Sequence, residues 1–311
     1  MMRQEFEVAE EYAGERLDKY LARIYTEQSR SFFQRLIKSG NVSVQDQIIT
    51  KNSMTVEAGD MVSVCIPEAQ SVSISPEPIP LDILYEDSDL MVINKPKGMV
   101  VHPSAGHYSG TLVNAVMYHC ADSLSGINGE IRPGIVHRID KDTTGSLIVC
   151  KNDAAHIHIA EQIREHSVKR IYRGIVCGIL QDDSGTVSGA IGRHPSQRKK
   201  MAVNPENGKP ATTHYRVLER FHKYTYAEFQ LETGRTHQIR VHMSHIGHPL
   251  LGDELYGGLS KNYAINGLCG QTLHAMTIGF IHPASGAYME YSAPLPEYFE
   301  KLLHRFRGLS V

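Results

Sequence analysis

The apolar runs of this chain are short. Leu90-Met91-Val92-Ile93-Asn94, Ser146-Leu147-Ile148-Val149-Cys150, Ile171 to Leu180 and Tyr224 to Leu231 all read as strands. None approaches the roughly 18 apolar residues of a membrane span. Such runs have to be buried by pairing with one another, so the second part of the chain must build a sheet. Helical stretches lie between them. Ala154 to Glu165 sets Ile157, Ala160, Ile163 and Arg164 at helical spacing. A helix opened by Thr236 turns Ile239, Met243 and Ile246 inward and stops at Gly247.

The beginning of the chain has another texture. Leu17, Tyr20, Leu21 and Ile24 share one helix face, and a second helix reads from about Ser31 to Ser39. Short strands follow at Val42 to Val44, from Gln47, and at Met61 to Ile66, with Gln45-Asp46 as a turn. Pro67, Pro76, Pro78 and Pro80 then stand among serines without helical period, which reads as a linker. At roughly 150 residues per domain, this predicts a small unit over 1–67, a linker over 68–80 and a larger unit over 81–311.

Lys plus Arg number 32 against 34 for Asp plus Glu, a net charge of -2. That total speaks against a nucleic-acid partner, but two local excesses lie beneath it. Between Arg16 and Lys38, six basic residues face only Asp18 and Glu27. Arg30, Arg35 and Lys38 border the apolar positions of the second helix and can meet either solvent or phosphate. Arg193, Arg198, Lys199 and Lys200 occupy a loop-like segment with no acid between Ser184 and Pro205. A polyanion would relieve their mutual repulsion. The cysteines number five, with no paired or metal-knuckle spacing, which argues against disulfides and zinc and for a reducing compartment. Met1 to Glu10 is acidic and lacks the apolar core of a signal peptide, so a cytoplasmic location is expected.

Two clusters carry chemistry. His137-Arg138-Ile139-Asp140-Lys141-Asp142-Thr143-Thr144-Gly145 leads into the strand at Leu147, and its Asp could be an ion-paired structural residue or a reactive one. Thr233-Gly234-Arg235-Thr236-His237-Gln238-Ile239-Arg240 opens a helix, whose free N–H groups favour an anion. His237, His242, His245 and His248 lie close together, but no acid completes an H-E-x-x-H pattern, and no metal is expected.

These residues resemble the RluA family of pseudouridine synthases, in the subgroup with an N-terminal S4 RNA-binding domain. His137 to Gly145 is similar to the family's His-Arg-Leu-Asp-x-x-Thr-Ser-Gly motif, with Ile139 for Leu and Thr144 for Ser. Asn94-Lys95-Pro96-Lys97-Gly98, Lys169-Arg170-Ile171-Tyr172 and Thr233 to Arg240 match three further motifs in order. Glu15 to Ile66 resembles an S4 domain, with Gln45-Asp46 in place of the usual Asn-Gly turn. The resemblance implies an α+β fold: a mixed, mainly antiparallel sheet carrying the cleft, plus a small α/β S4 domain. It implies that ribose is moved from N1 to C5 of a uracil without metal, nucleotide cofactor or energy source. Asp140 matches the nucleophile, Arg240 its partner, Tyr172 the aromatic that stacks on uracil, and Arg138 the side chain that fills the vacated stack. Attack at ribose C1′ and at uracil C6 both remain open. A large-subunit (23S) ribosomal RNA or its precursor particle is the first expected partner and transfer RNA the second, with a monomeric enzyme as the default. The competing readings are a non-catalytic RNA-binding assembly protein and a metal-dependent hydrolase built on the histidines.

Overall fold

The structure, a computed structural model, describes residues 2–25, 30–66, 74–103, 108–120, 124, 133–197, 199–258 and 265–308. The chain divides into two compact units, Met1–Ser71 and Val72–Val311.

The first unit contains β1 (Met2–Glu7), α1 (Leu17–Ile24), α2 (Arg30–Lys38), β2 (Val42–Val44), β3 (Gln47–Ile48) and β4 (Met61–Ile66). Its sheet runs β1-β4-β2-β3, antiparallel throughout. Leu17, Tyr20 and Leu21 of α1 and Phe33, Leu36 and Ile37 of α2 bury their apolar faces with Val42, Val44, Val62 and Val64. Strand β1 falls in the segment read from sequence only as an acidic N-terminus. Pairing with β4 makes it a strand, because Phe6 and Val8 can then join the unit while the glutamates at 5 and 7 stay outside. The Gln45-Asp46 turn has φ of 49° and 59°, so two non-glycine residues hold the left-handed geometry of a tight hairpin.

Of the expected linker, residues 68–73 lie outside the described part. The remainder is built into the second unit. Ile74 is buried in its core, Asn114 Nδ2 donates to the Ser75 carbonyl, and the Glu77 N–H donates to the Asn114 carbonyl. The apolar Ile74 explains why the segment is not a free tether from that point on.

The second unit contains β5 (Ile83–Glu86), β6 (Leu90–Lys95), α3 (Leu112–Cys120), β7 (Thr144–Cys150), α4 (Asp153–Arg164), β8 (Lys169–Cys177) and β9 (Ser184–Ser188). It continues with β10 (Ile191–Arg193), β11 (Met201–Val203), β12 (Thr212–Arg220), β13 (Tyr224–Leu231), α5 (Gln238–His245), β14 (Leu273–Ile281), β15 (Tyr288–Ser292) and α6 (Glu297–Phe306). Nine strands form one sheet in the order β5-β6-β7-β14-β8-β13-β12-β9, with β15 on β14. Every described pairing is antiparallel except β7 with β14. Strands β10 and β11 form a separate hairpin. The middle of the sheet is covered on both faces, and β7 is buried at every residue, as a strand with neighbours on both edges and both faces must be.

Two helix faces differ from the sequence reading. Helix α4 buries Ala155, His156, Ile159 and Gln162 and leaves Ile157 exposed. Gln162 turns inward because its side chain bonds both the carbonyl and the N–H of Ile281 at the end of β14. Ile246 is exposed, because α5 ends at His245 and the chain turns at Gly247.

Candidate active site

The central motif is a loop that feeds β7. Its shape is imposed by three contacts. His137 Nε2 accepts the Ile148 N–H at 2.9 Å, so the imidazole must be neutral on that nitrogen. Burial, reinforced by the Arg170 charge, pushes His137 down to about 3. Gly145 has φ of 106°, and a Cβ there would collide with the Ala275 carbonyl. Only glycine lets β7 run this close to β14. Thr144 Oγ1 donates to Nδ1 of His274, which is fully buried in β14 and whose Nε2–H donates to the Ala293 carbonyl.

A buried lysine holds the loop from below. Lys95 is fully buried, and its ammonium donates to the carbonyls of Pro96, Met99 and Lys141 at 2.8, 2.8 and 3.0 Å. Burial lowers its pKa to about 7, against the opposing charges of Asp142 and Asp140. The three carbonyls need three donors, which only the charged form supplies. Lys95 thereby fixes the carbonyl of Lys141, the residue after Asp140.

Helix α5 supplies the other wall. Its first turn is organised by Gln238, whose Oε1 accepts the Arg235 N–H and the Thr233 hydroxyl, while its Nε2 donates to Thr212 and Thr213. These bonds tie the segment that precedes α5 to the start of β12. Arg240 is 8% exposed and makes three charged hydrogen bonds. Its Nη1 donates to Asp140 Oδ2 at 2.9 Å. Its Nε and Nη2 grip Asp253 at 2.7 and 3.0 Å. Burial alone would lower the Arg240 pKa, but the Asp253 hydrogen bonds and charge, followed by Asp140, hold it well above its ordinary value. Among the described residues Asp140 is thus hydrogen-bonded on one oxygen only. Its Oδ1 lies 3.8 Å from His237 Nε2, and the side chain keeps 17% of its surface.

Asp140 sits where two hollows of about 60 and 200 Å³ meet, both also lined by Arg138, Ile139, His237 and Arg240. Tyr172, Leu231 and Leu273 wall the smaller one. Tyr172 comes from β8 and is 9% exposed; burial raises its pKa, with Arg170 opposing and Asp140 adding. Arg138 stands exposed at the rim, and among the described residues it makes no ion pair with Asp142. The structure therefore brings Asp140, Arg240, Tyr172 and Arg138 to one cleft. An apolar slot with an aromatic wall and a one-sided carboxylate can hold a planar base against a nucleophile.

The basic residues fare differently. Arg30 donates through Nε and Nη2 to Asp18, a fully buried carboxylate that also takes Arg16 and Gln34. Part of the local excess is thus spent on an internal ion pair. Arg35 and Lys38 are exposed on α2, and Arg193 and Lys199 are exposed at the β10–β11 hairpin with Lys200 half-buried. Arg198 lies outside the described residues.

The four histidines do not converge. His242 is buried between Thr213 and the Gly189 carbonyl, His248 bonds the Cys177 carbonyl, and His245 faces outward. Among the described residues the one compact set of metal-type ligands is Asp87, Asp89 and His282, remote from these in sequence. Asp253, His274 and Tyr256 are site residues that sequence reasoning missed. Asp253 sits in Leu251-Gly252-Asp253, a stretch with no local signal beyond its one glycine.

Comparison with known proteins identifies the family. The RNA pseudouridylate synthase profile matches residues 89–245, and the S4 domain profile matches residues 15–62. The Bacillus subtilis (strain 168) protein named uncharacterized RNA pseudouridine synthase YlyB is 50% identical over 299 residues, 96% of each chain. Ribosomal large subunit pseudouridine synthase D of Zymomonas mobilis is 47% identical over 303 residues, 95% of each chain. Its namesake from Pseudomonas aeruginosa is 44% identical over 319 residues, 99% of this chain and 97% of that one. Among solved structures, human RNA pseudouridylate synthase domain containing 1 superposes with a TM-score of 0.57 at 26% identity, over 78% of this chain and 98% of that one. The chain belongs to the RNA pseudouridylate synthase family and carries an S4 domain ahead of its synthase domain.

Proposed function

We propose that this enzyme converts specific uridines of large-subunit (23S) ribosomal RNA to pseudouridine, with Asp140 as the nucleophile. The observation that carries the assignment of Asp140 is its one-sided pairing: Arg240 holds Oδ2 and leaves Oδ1 facing the cleft. A carboxylate saturated with donors would be a poor nucleophile, and an unpaired one would be hard to keep ionised in a partly closed site. The ribosomal substrate is supported by the names of relatives that are 44 and 47% identical over nearly the whole chain.

The remaining roles follow from the walls of the cleft. The target base must leave its stack, which takes a few kcal/mol. Tyr172 stacks on the extruded uracil, a contact of about 1–3 kcal/mol. Arg138, at the rim, fills the gap left in the RNA. Ribose passes from N1 to C5, the C5 proton is released, and N1 gains one, so no redox partner or energy source enters. Residues 1–67 act as the RNA-docking S4 domain and 81–311 as the catalytic domain, joined through 68–80. Arg35 and Lys38 on α2, with Arg193, Arg198, Lys199 and Lys200, contact the RNA backbone. Arg30 contributes there only with what Asp18 leaves free. An RNA substrate and five free cysteines fit a cytoplasmic enzyme acting as a monomer.

The test is a modification map. Ribosomal RNA from a deletion strain should lack pseudouridine at one or a few sites, detected by carbodiimide treatment and primer extension. Wild-type protein should restore them and Asp140→Asn should not. An unchanged map, with transfer RNA losing pseudouridine instead, would move the enzyme to the other substrate class.

A further inference from the structure

His237 is unusual on three counts. It is a non-glycine residue in the left-handed region, at φ 58° and ψ 23°, where it forms the N-cap of α5. Such conformations are uncommon and gather at functional sites. Its side chain makes no cap hydrogen bond, so the conformation is not explained by capping. Instead the ring is turned into the cleft, where it lines both hollows beside Asp140.

Its two nitrogens face opposite partners. Nε2 lies 3.8 Å from Asp140 Oδ1. Nδ1 lies 2.8 Å from the Tyr256 hydroxyl, and the two rings meet edge to face. The same hydroxyl already accepts the Met201 N–H at 2.9 Å. With that lone pair used, the Tyr256 proton is best placed on His237 Nδ1, which makes Nδ1 the acceptor and puts the imidazole proton on Nε2. The Asp140 charge favours the same tautomer, since a bare Nε2 lone pair would face a carboxylate. Burial lowers the His237 pKa, with Asp140 opposing and Arg240 reinforcing, so the ring is neutral.

We propose that His237 is a positioning residue for the Asp140 carboxylate: a neutral imidazole whose Nε2–H steers Oδ1, its tautomer set by Tyr256. Arg240 fixes one oxygen and His237 aims the other. The present distance is about 1 Å longer than a hydrogen bond, and catalytic hydrogen bonds commonly tighten when substrate binds. The arrangement also has a far end. Met201 opens β11, directly after the basic segment that ends at Lys200.

The proposal rests on Asp140 being the nucleophile, and the experiment separates the two. Single-turnover pseudouridine formation and RNA affinity are measured for wild type, Asp140→Asn, His237→Gly, His237→Gln and Tyr256→Phe, alongside melting temperature. Glycine suits the left-handed backbone, which offsets part of the lost contact with Tyr256, so His237→Gly should melt near wild type. Its rate should fall on the order of 100-fold, the loss expected for misplacing a reacting group by an ångström. His237→Gln, whose amide N–H can reach Oδ1, should recover most of the rate, and Tyr256→Phe should fall between them. RNA affinity should be unchanged in all. A wild-type rate in His237→Gly overturns the proposal. So does an equal loss in His237→Gly and His237→Gln, or a loss that follows melting temperature. If Asp140→Asn stays active, the nucleophile assignment itself fails, whatever the His237 variants do.

Discussion

Two aspartates in this molecule are each gripped by arginine, and they are built for opposite ends. Asp18, in the first unit, is fully buried and takes Arg16, Arg30 and Gln34. Burial would raise its pKa, but those three donors outweigh it and bring the carboxyl down to about 2. Asp140, in the second unit, keeps 17% of its surface, takes one arginine N–H and leaves an oxygen toward the cleft. The two look alike in sequence, an acid within two residues of an arginine. What separates them is donor count. A saturated carboxylate locks structure; an under-satisfied one stays available for chemistry. Asp253 shows how the second state is sustained: it takes the rest of Arg240, so that this arginine can offer Asp140 a single bond without leaving a buried charge unpaired.

The contrast can be broken most directly at Asp140. Asp140→Asn keeps a hydrogen-bond acceptor for Arg240, so turnover should fall by at least about 10⁴-fold while the melting temperature stays near wild type. A variant that lost both would put Asp140 with the structural aspartates. Next comes Asp253→Ala, which strands a buried guanidinium. Chemical denaturation should show the second unit weakened by about 3–5 kcal/mol, with activity lost as a consequence.

The first unit should respond to acid and not through chemistry. The folded pKa of Asp18, about 2, lies below its ordinary 3.8. The unfolded chain therefore binds the proton first as pH falls. The stability contributed by Asp18 is present above 3.8 and disappears as pH drops through about 2. At neutral pH, Asp18→Asn should destabilise that unit by about 2 kcal/mol without slowing the chemical step on bound RNA. The smallest effect separates neighbours on one helix. Arg35→Gln with Lys38→Gln should weaken RNA binding and lower its salt slope by about one for each phosphate left unneutralised, with stability unchanged. Arg30→Gln should do the reverse, and equal behaviour of the two variants would dissolve the distinction between an internal ion pair and an RNA-facing charge.

How far the sequence led depends on how local the signal was. Strands β2, β4 and β13 follow the expected limits, and the Asp140, Arg138, Tyr172 and Arg240 motifs meet at one cleft although Asp140 and Arg240 stand a hundred residues apart. Periodicity and motif order carry that much. Strand β1 was hidden because its glutamates mask a half-buried alternation that only pairing with β4 reveals. Asp253, His274 and Tyr256 were hidden because the partners that give them a place in the site, Arg240, Thr144 and His237, are not their neighbours in sequence. The Arg30–Asp18 ion pair was hidden because a positive charge beside a helix reads the same whether its neighbour is water or a buried carboxylate.

The order of strands in the large sheet has a consequence for how the enzyme comes into being. Asp140 stands just ahead of β7 and Tyr172 lies on β8, and these strands are not neighbours; β14, formed by residues 273–281, lies between them. Until that segment has left the ribosome, the two halves of the sheet share no edge, and no strand holds Asp140 and Tyr172 in register. Non-local pairing of this kind is slow to form. A nascent or prematurely terminated chain that lacks β14 therefore lacks the assembled cleft, and competence to modify RNA arrives late in synthesis.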